Sequence, residues 1–210
     1  MAKEDRRVTR TRAALIHAFD DLVLSGRGAK IRVADIVEKA NVGRSTFYDH
    51  YAGADDIHMA ALARPFATLA DAAAGSGDEG SMAQLLAHFW ENRRRARQTL
   101  EGRTGDKTAR LLVGLIEERL ARDEGALTLP LRLAARQLGE AALSPLRGWI
   151  FAEAPCTPEA LASAICAAGR ALRAALRSPG TVVAPPLPAG RASPATAAPR
   201  AGHKSPRSPG

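Results

Sequence analysis

A chain of 210 residues is long enough to bury a real core, in one large domain or two small ones. It is 46% hydrophobic, only 4% aromatic and rich in Ala, which favours helix, because Ala, Leu, Arg and Glu lose little on entering one. The formal charge of +8 is compatible with a nucleic-acid partner, and the lack of any run of about 18 uncharged apolar residues excludes a membrane-spanning helix.

The opening "MAKEDRRVTRTR" is charged throughout and lacks an apolar signal region, so a cytoplasmic protein is expected, with residues 1–7 as a disordered basic arm. From about Thr9, the residues Leu15, Ile16, Phe19, Leu22 and Val23 recur at helical spacing. "SGRG" then supplies glycines suited to a left-handed cap. Val33, Ile36, Val37 and Ala40 predict a short second helix, ended by Asn41, a residue that tolerates the left-handed region. A third helix begins near Arg44 and is interrupted at Gly53; a longer one runs from about Asp55 to Ala73. "GSGDEGS", residues 75–81, has the composition of a linker. Beyond it, helices are expected across "MAQLLAHFWENRRRAR", "KTARLLVGLIEERLAR" and "LPLRLAARQLGEAALSPLRGWIFAE", the last bent near Pro145. "TPEALASAICAAGRALRAAL" follows, with Thr157 as its cap and Pro158 in its first turn. After Ser178 the chain is Pro, Ala, Gly, Ser and Arg, a low-complexity tail unable to bury a core. Its Arg191, Arg200, Lys204 and Arg207, with no acid, carry half of the net charge. The expected division is a head over 1–53, a helical body over 54–178 (connecting helix 54–74, linker 75–81) and a disordered tail over 179–210.

The stretch "NVGRSTFYDHY", residues 41–51, concentrates three aromatics in a chain that has few. A short helix, a tight turn and a second short helix make the geometry that fits a helix into the DNA major groove. Ile36, Ala40 and Val42 would face inward, and Phe47 and Tyr51, four apart, would pin the second helix to the same core. Gly43 is an acceptable N-cap where that helix starts. Arg44, Ser45, Thr46, Tyr48 and His50 are then left on the other faces. Arg can fork onto a guanine edge, Ser or Thr can bond bases or phosphates, and a Tyr hydroxyl can hold a phosphate oxygen. His50 suits a phosphate contact or a helix-end cap equally. Arg6, Arg7, Arg10 and Arg12 suit a DNA backbone or plain surface charge equally.

On these residues the chain resembles a known family. "VADIVEKANVGRSTFYDHYAGADDIHMAAL" is similar to the DNA-binding segment of the TetR family of bacterial transcriptional regulators. The matching features are Asp35-Ile36, Ala40, Val42, Ser45 to Tyr48, His50-Tyr51 and Asp56-Ile57. The resemblance is specific in the head and extends as general architecture over roughly residues 8–178. It implies an all-α protein, with an N-terminal three-helix head containing the helix-turn-helix and a C-terminal helical bundle for ligand binding and dimerisation. It also implies a homodimer on a near-palindromic double-stranded operator, commonly a repressor released by a small molecule. The sequence departs from the family's habit at three positions. Arg32 stands where a Thr usually opens the second helix, Gly43 where a Ser is common, and Ala54 where a Lys often touches phosphate. Arg32, with Lys30 or the basic arm, is the candidate to make up the phosphate grip.

In the body, the resemblance suggests an apolar ligand pocket, for which Phe89, Trp90, Leu112, Ile116, Gln137 and Glu140 are the candidates. Gln137 and Glu140 are equally compatible with a dimer seam, and His88, Phe89 and Trp90 with core and edge packing. The last two helices are long and rich in small residues, so they suit a four-helix dimer interface, with Leu161, Ile165, Leu172 and Leu176 as the buried stripe. "RRRAR", residues 93–97, reads as a solvated helix end in preference to a second nucleic-acid patch. There is no GxSxG, no phosphate-cradling glycine loop and no HExxH, so no enzyme, cofactor or metal is expected. Cys156 and Cys166 read as reduced thiols. The rival expectation is a helical ligand-binding or partner-docking protein whose head has lost DNA binding, which Gly43 and Ala54 keep open.

Overall fold

A computed structural model describes residues 2–25, 31–123 and 125–177. The glycines of the expected first cap, Lys30 and the 179–210 tail lie outside the described residues. Among those described, the fold is all-helical, with a lone antiparallel bridge between Leu127 and Arg177. The helices are α1 (Ala2–Ser25), α2 (Val33–Ala40), α3 (Arg44–Tyr48), α4 (Ala54–Ala73) and α5 (Glu79–Glu91). Then come α6 (Arg93–Leu100), α7 (Gly102–Leu120), α8 (Leu131–Ile150) and α9 (Pro158–Leu176).

Two hydrophobic clusters organise them. The first gathers Leu15 and Phe19 from α1, Ile36 and Val37 from α2, Phe47 and Tyr51, and Ile57 from the first turn of α4. The second is larger and takes Phe66, Leu69 and Ala73 from the rest of α4, with Met82, Leu86, Leu112, Ile116, Leu138 and Leu143 from α5, α7 and α8. Leu161, Ile165 and Leu176 of α9 complete it. Polar stitches fix α4 within the second cluster. Arg119 on α7 donates from Nε to Asp71 and from Nη2 to the Ala67 carbonyl at 3.0 Å. Arg173 on α9 donates to the Ala74 carbonyl at 2.8 Å, satisfying an acceptor at the end of α4.

Several local expectations are met where a short-range reason existed. Asn41 adopts φ 51°, ψ 48° and ends α2 in the left-handed region. Thr157 Oγ1 accepts from the Ala160 N–H at 3.2 Å, with Pro158 at the start of α9. Pro145 lies inside α8.

Other expectations are corrected. Residues 2–7, expected as a disordered arm, form the first turns of α1; nothing from Ala2 to Ser25 is Gly or Pro, and the charged residues there are adequate helix formers. The single helix expected over 82–97 is broken at Asn92. There the side-chain amide donates to the His88 carbonyl at 3.0 Å, offering the backbone an alternative to continuing. The 75–81 segment is a tight reversal. Gly75 is left-handed at φ 79°, and Asp78 caps α5 by accepting from the Ser81 N–H at 2.7 Å.

The closest approach in the body is between α9 and the end of α4. A Cβ at Gly169 would collide with the backbone carbonyls of Ala72 and Ala73. Gly114 on α7 has open space beside it and no such neighbour. Ala normally gains up to about 1 kcal/mol over Gly inside a helix. Gly114→Ala should therefore raise the melting temperature in thermal denaturation. Gly169→Ala should lower it, because overpacking at about 1–3 kcal/mol outweighs the propensity gain.

Candidate nucleic-acid interface

The turn between α2 and α3 follows from the left-handed Asn41, whose N–H reaches back to the Glu38 carbonyl while Val42 N–H reaches Val37. Gly43 precedes α3 with extended backbone, φ −71°, ψ 153°. α3 is only five residues long, too short to hold itself by backbone hydrogen bonding alone, since an isolated helix of that length is unstable in water. Its anchorage is aromatic. Phe47 is fully buried, Tyr51 is 4% exposed, and their ring centroids lie 5.8 Å apart. The Arg12 guanidinium on α1 sits over the Tyr51 ring at 5.8 Å, and burial pushes the phenol's pKa up. This cross-helix partner of Tyr51 was not foreseen from sequence, where Arg12 suited a DNA backbone or plain surface charge equally.

With the rings turned in, Arg44, Ser45 and Tyr48 are solvent-exposed, while Thr46 and His50 are half-buried. Tyr48 is 58% exposed and meets the Phe47 ring edge-on at 5.4 Å. The five residues singled out by sequence therefore belong to one short helix and the turn that follows it. Arg32 is placed differently. The Asp35 carboxylate accepts from the Arg32 backbone N–H at 3.0 Å and from its guanidinium at 3.0 and 3.2 Å. These bonds hold the Asp35 carboxyl below the usual carboxylate range and close the first turn of α2. Lys39 on α2 reaches Asp21 on α1 at 3.3 Å, and Lys107 on α7 reaches Asp55 at the start of α4 at 3.0 Å.

The six candidate ligand residues do not converge. Leu112 and Ile116 are fully buried against α8, next to Gly139, where a Cβ would meet both side chains at ordinary contact distance, 3.6–3.8 Å. Gln137 and Glu140 lie on the exposed face of α8, Glu140 pairing with Arg147 at 3.5 Å. Trp90 is 42% exposed and stacks on Trp149 at 4.8 Å, with Arg93 over its ring at 4.5 Å. Of the six, Phe89 lines a cavity. That cavity, about 910 Å³, lies between α1, α4, α5 and α6. Asp20 and Arg95, which both line it, are 75 positions apart in the chain, so no local sequence pattern pointed to it.

The basic run at 93–97 is likewise not a freely solvated helix end. Arg93 Nε and Arg97 Nε donate to the Ile150 carbonyl at 2.7 and 3.1 Å, and Arg97 Nη2 donates to Phe151 at 3.2 Å. The two guanidiniums thus cap the C-terminal carbonyls of α8. Among the described residues, no helix is long and apolar enough to cross a membrane, and no group of His, Cys, Asp and Glu could hold a metal ion.

Over 68 residues, 32% of its length, the chain is 43% identical to an uncharacterized HTH-type transcriptional regulator, YxbF, of Bacillus subtilis (strain 168). The chain is similar to helix-turn-helix transcriptional regulators. The match spans 18% of the length of that relative. Two solved structures resemble the fold. One is the dihydroxyacetone kinase operon activator DhaS, at 19% identity, 80% coverage of this chain and 98% of that one, with a TM-score of 0.48. The other is a TetR transcriptional regulator from Streptococcus agalactiae 2603V, at 24% identity, 79% and 97% coverage, with a TM-score of 0.43. No family model matches the chain. Here α2, the turn over Asn41 to Gly43 and α3 form a helix, a turn and a second helix.

The division of labour between buried and exposed rings is open to measurement. Phe47→Ala should cost about 3–5 kcal/mol in chemical denaturation, by the transfer and cavity terms of a fully buried ring. Tyr48→Ala, largely exposed, should shift stability by less than about 0.5 kcal/mol.

Proposed function

We propose that this chain is a sequence-specific DNA-binding transcriptional regulator, a homodimeric repressor that leaves a near-palindromic operator when a small molecule binds. The observation that carries this is the five-residue α3, pinned from behind by Phe47 and Tyr51 and presenting Arg44, Ser45 and Tyr48 outward. Such a helix enters the major groove with its polar residues near base edges. Arg44, which has no ion pair among the described residues, is free to fork onto a guanine, while Ser45 and Thr46 reach bases or phosphates. Tyr48 and His50 lie where phosphate oxygens would pass, and Arg6, Arg7 and Arg10 extend an exposed basic face along α1. In this scheme residues 1–53 read DNA and residues 54–178 bind ligand and partner.

Arg32 enters as a positioning residue. Its charge is matched by Asp35, so releasing it to a phosphate would cost the bonds that close α2. On a fragment selected from genomic DNA, Arg44→Ala should lower the ratio of specific to random-sequence affinity by about 5- to 100-fold, the worth of one bidentate base contact. Arg32→Ala should leave the salt slope of binding unchanged in the same fluorescence-anisotropy titrations.

The dimer we propose uses another face of α9 than its leucine stripe. Leu161, Ile165 and Leu176 are buried within the protomer and Leu172 partly so, all turned toward α4, α5 and α8. The outward stripe of α9 is instead Ala160, Ala164, Ala167, Ala168, Ala171 and Ala175. It is smooth enough for close helix approach, and Leu133, 53% exposed, lies on the outward side of α8. A dimer built on this alanine face should dissociate in Ala168→Glu. Sedimentation equilibrium would show the monomer mass, with operator affinity falling alongside while helicity by circular dichroism stays intact.

A further inference from the structure

The cavity between α1, α4, α5 and α6 is unlike the rest of the interior in combining aromatic walls with charge. Its apolar lining includes Phe19 from α1, Phe66 from α4, and Leu85 and Phe89 from α5. The Phe66 and Phe89 ring centroids lie 6.5 Å apart, and the Phe19 ring lies 5.5 Å from the His58 imidazole. The volume of about 910 Å³ is that of a small-molecule site.

Six titratable side chains face this space: His17 and Asp20 from α1, His58 and Arg64 from α4, His88 from α5 and Arg95 from α6. Neither the Arg64 nor the Arg95 guanidinium makes a hydrogen bond or a close ion pair among the described residues. Asp20 and Arg64 are exposed, at the rim, whereas Arg95 is half-buried and its guanidinium pKa is lowered by desolvation. Asp20 lies near enough to both guanidiniums to feel their charge. Burial pulls the His58 pKa down and so favours its neutral imidazole. Apart from the histidines, two guanidiniums stand against one carboxylate, an excess of one positive charge beside an aromatic wall. A half-buried cation without a partner is costly, and an anion brought to it by an apolar body relieves that cost.

We propose that this cleft binds a small apolar monocarboxylate, its carboxylate on Arg95 and Arg64 and its hydrocarbon body among Phe66, Leu85 and Phe89. The site joins α1, which belongs to the head core, to α5 and α6, which belong to the body core. Its occupant therefore sets the spacing between the two, and in that respect the proposal rests on the repressor function above.

The test uses the full chain and isothermal titration with 4-phenylbutyrate and octanoate, each against its neutral alcohol and its primary amine. The expected result is one carboxylate bound per chain, at least about tenfold more tightly than the matching alcohol or amine. Arg95→Gln, with unchanged circular dichroism, should erase that preference. Should Arg95→Gln fail to fold, the preference for carboxylate in the unaltered chain still decides. Equal or tighter binding of alcohol or amine overturns the proposal, as does failure of both carboxylates to bind up to their solubility limit. So does a preference that survives in folded Arg95→Gln. Anisotropy with a genomic fragment selected for binding separates the two ideas. If a carboxylate binds in this pattern but leaves DNA affinity unchanged, the site stands and release by ligand falls.

Discussion

α4 belongs to two hydrophobic cores at once, and the rest of the molecule is arranged around that constraint. Ile57 is sealed into the head cluster and Phe66 into the body cluster, nine positions further on. At 1.5 Å per residue the two anchors are about 13 Å apart along one helix. Neither end can shift without disturbing apolar groups that are fully buried. Lys107 reaching Asp55 adds a polar tie from α7 to the start of the same helix.

The outward face of the head follows from how little holds α3. Five residues provide almost no cooperative hydrogen bonding, so its position is dictated by two rings and by Arg12 over one of them. This arrangement separates tasks cleanly along a short sequence. Phe47 and Tyr51 supply the burial, leaving Arg44, Ser45 and most of Tyr48 exposed. Arg32 is matched by Asp35 and Lys39 by Asp21, whereas Arg44 on α3, like Arg6, Arg7 and Arg10 on α1, is exposed.

What could be foreseen from sequence was what short-range chemistry determines. Asn41 ending α2, Thr157 capping α9 and the Phe47–Tyr51 pair each rest on residues within four positions of one another. Helical periodicity also identified the apolar stripe of α9, but not its direction. A stripe of Leu161, Ile165, Leu172 and Leu176 fits a protomer core and a partner surface equally well until the neighbouring helices are in place. The same blindness affected Arg93 and Arg97, whose acceptors are the carbonyls of Ile150 and Phe151, more than fifty positions away. Likewise the cleft is made by helices far apart in the chain, and only their packing brings Asp20 near Arg95. Helix starts were missed where the signal is merely the absence of a breaker, as at Ala2.

Gly169 and the last turn of α4 meet backbone to backbone, with no side chain between them. Elsewhere in a protein interior, a rotamer change can absorb a displacement of a few tenths of an ångström. Here no cushion exists, so the tail of α4 and the middle of α9 can only travel together. Pro65, just past the midpoint of α4, removes one rung of the helix's own ladder between its two anchored ends. The spine of the molecule is locked at its tail by backbone contact and lacks a rung near its middle, between the two cores that hold it.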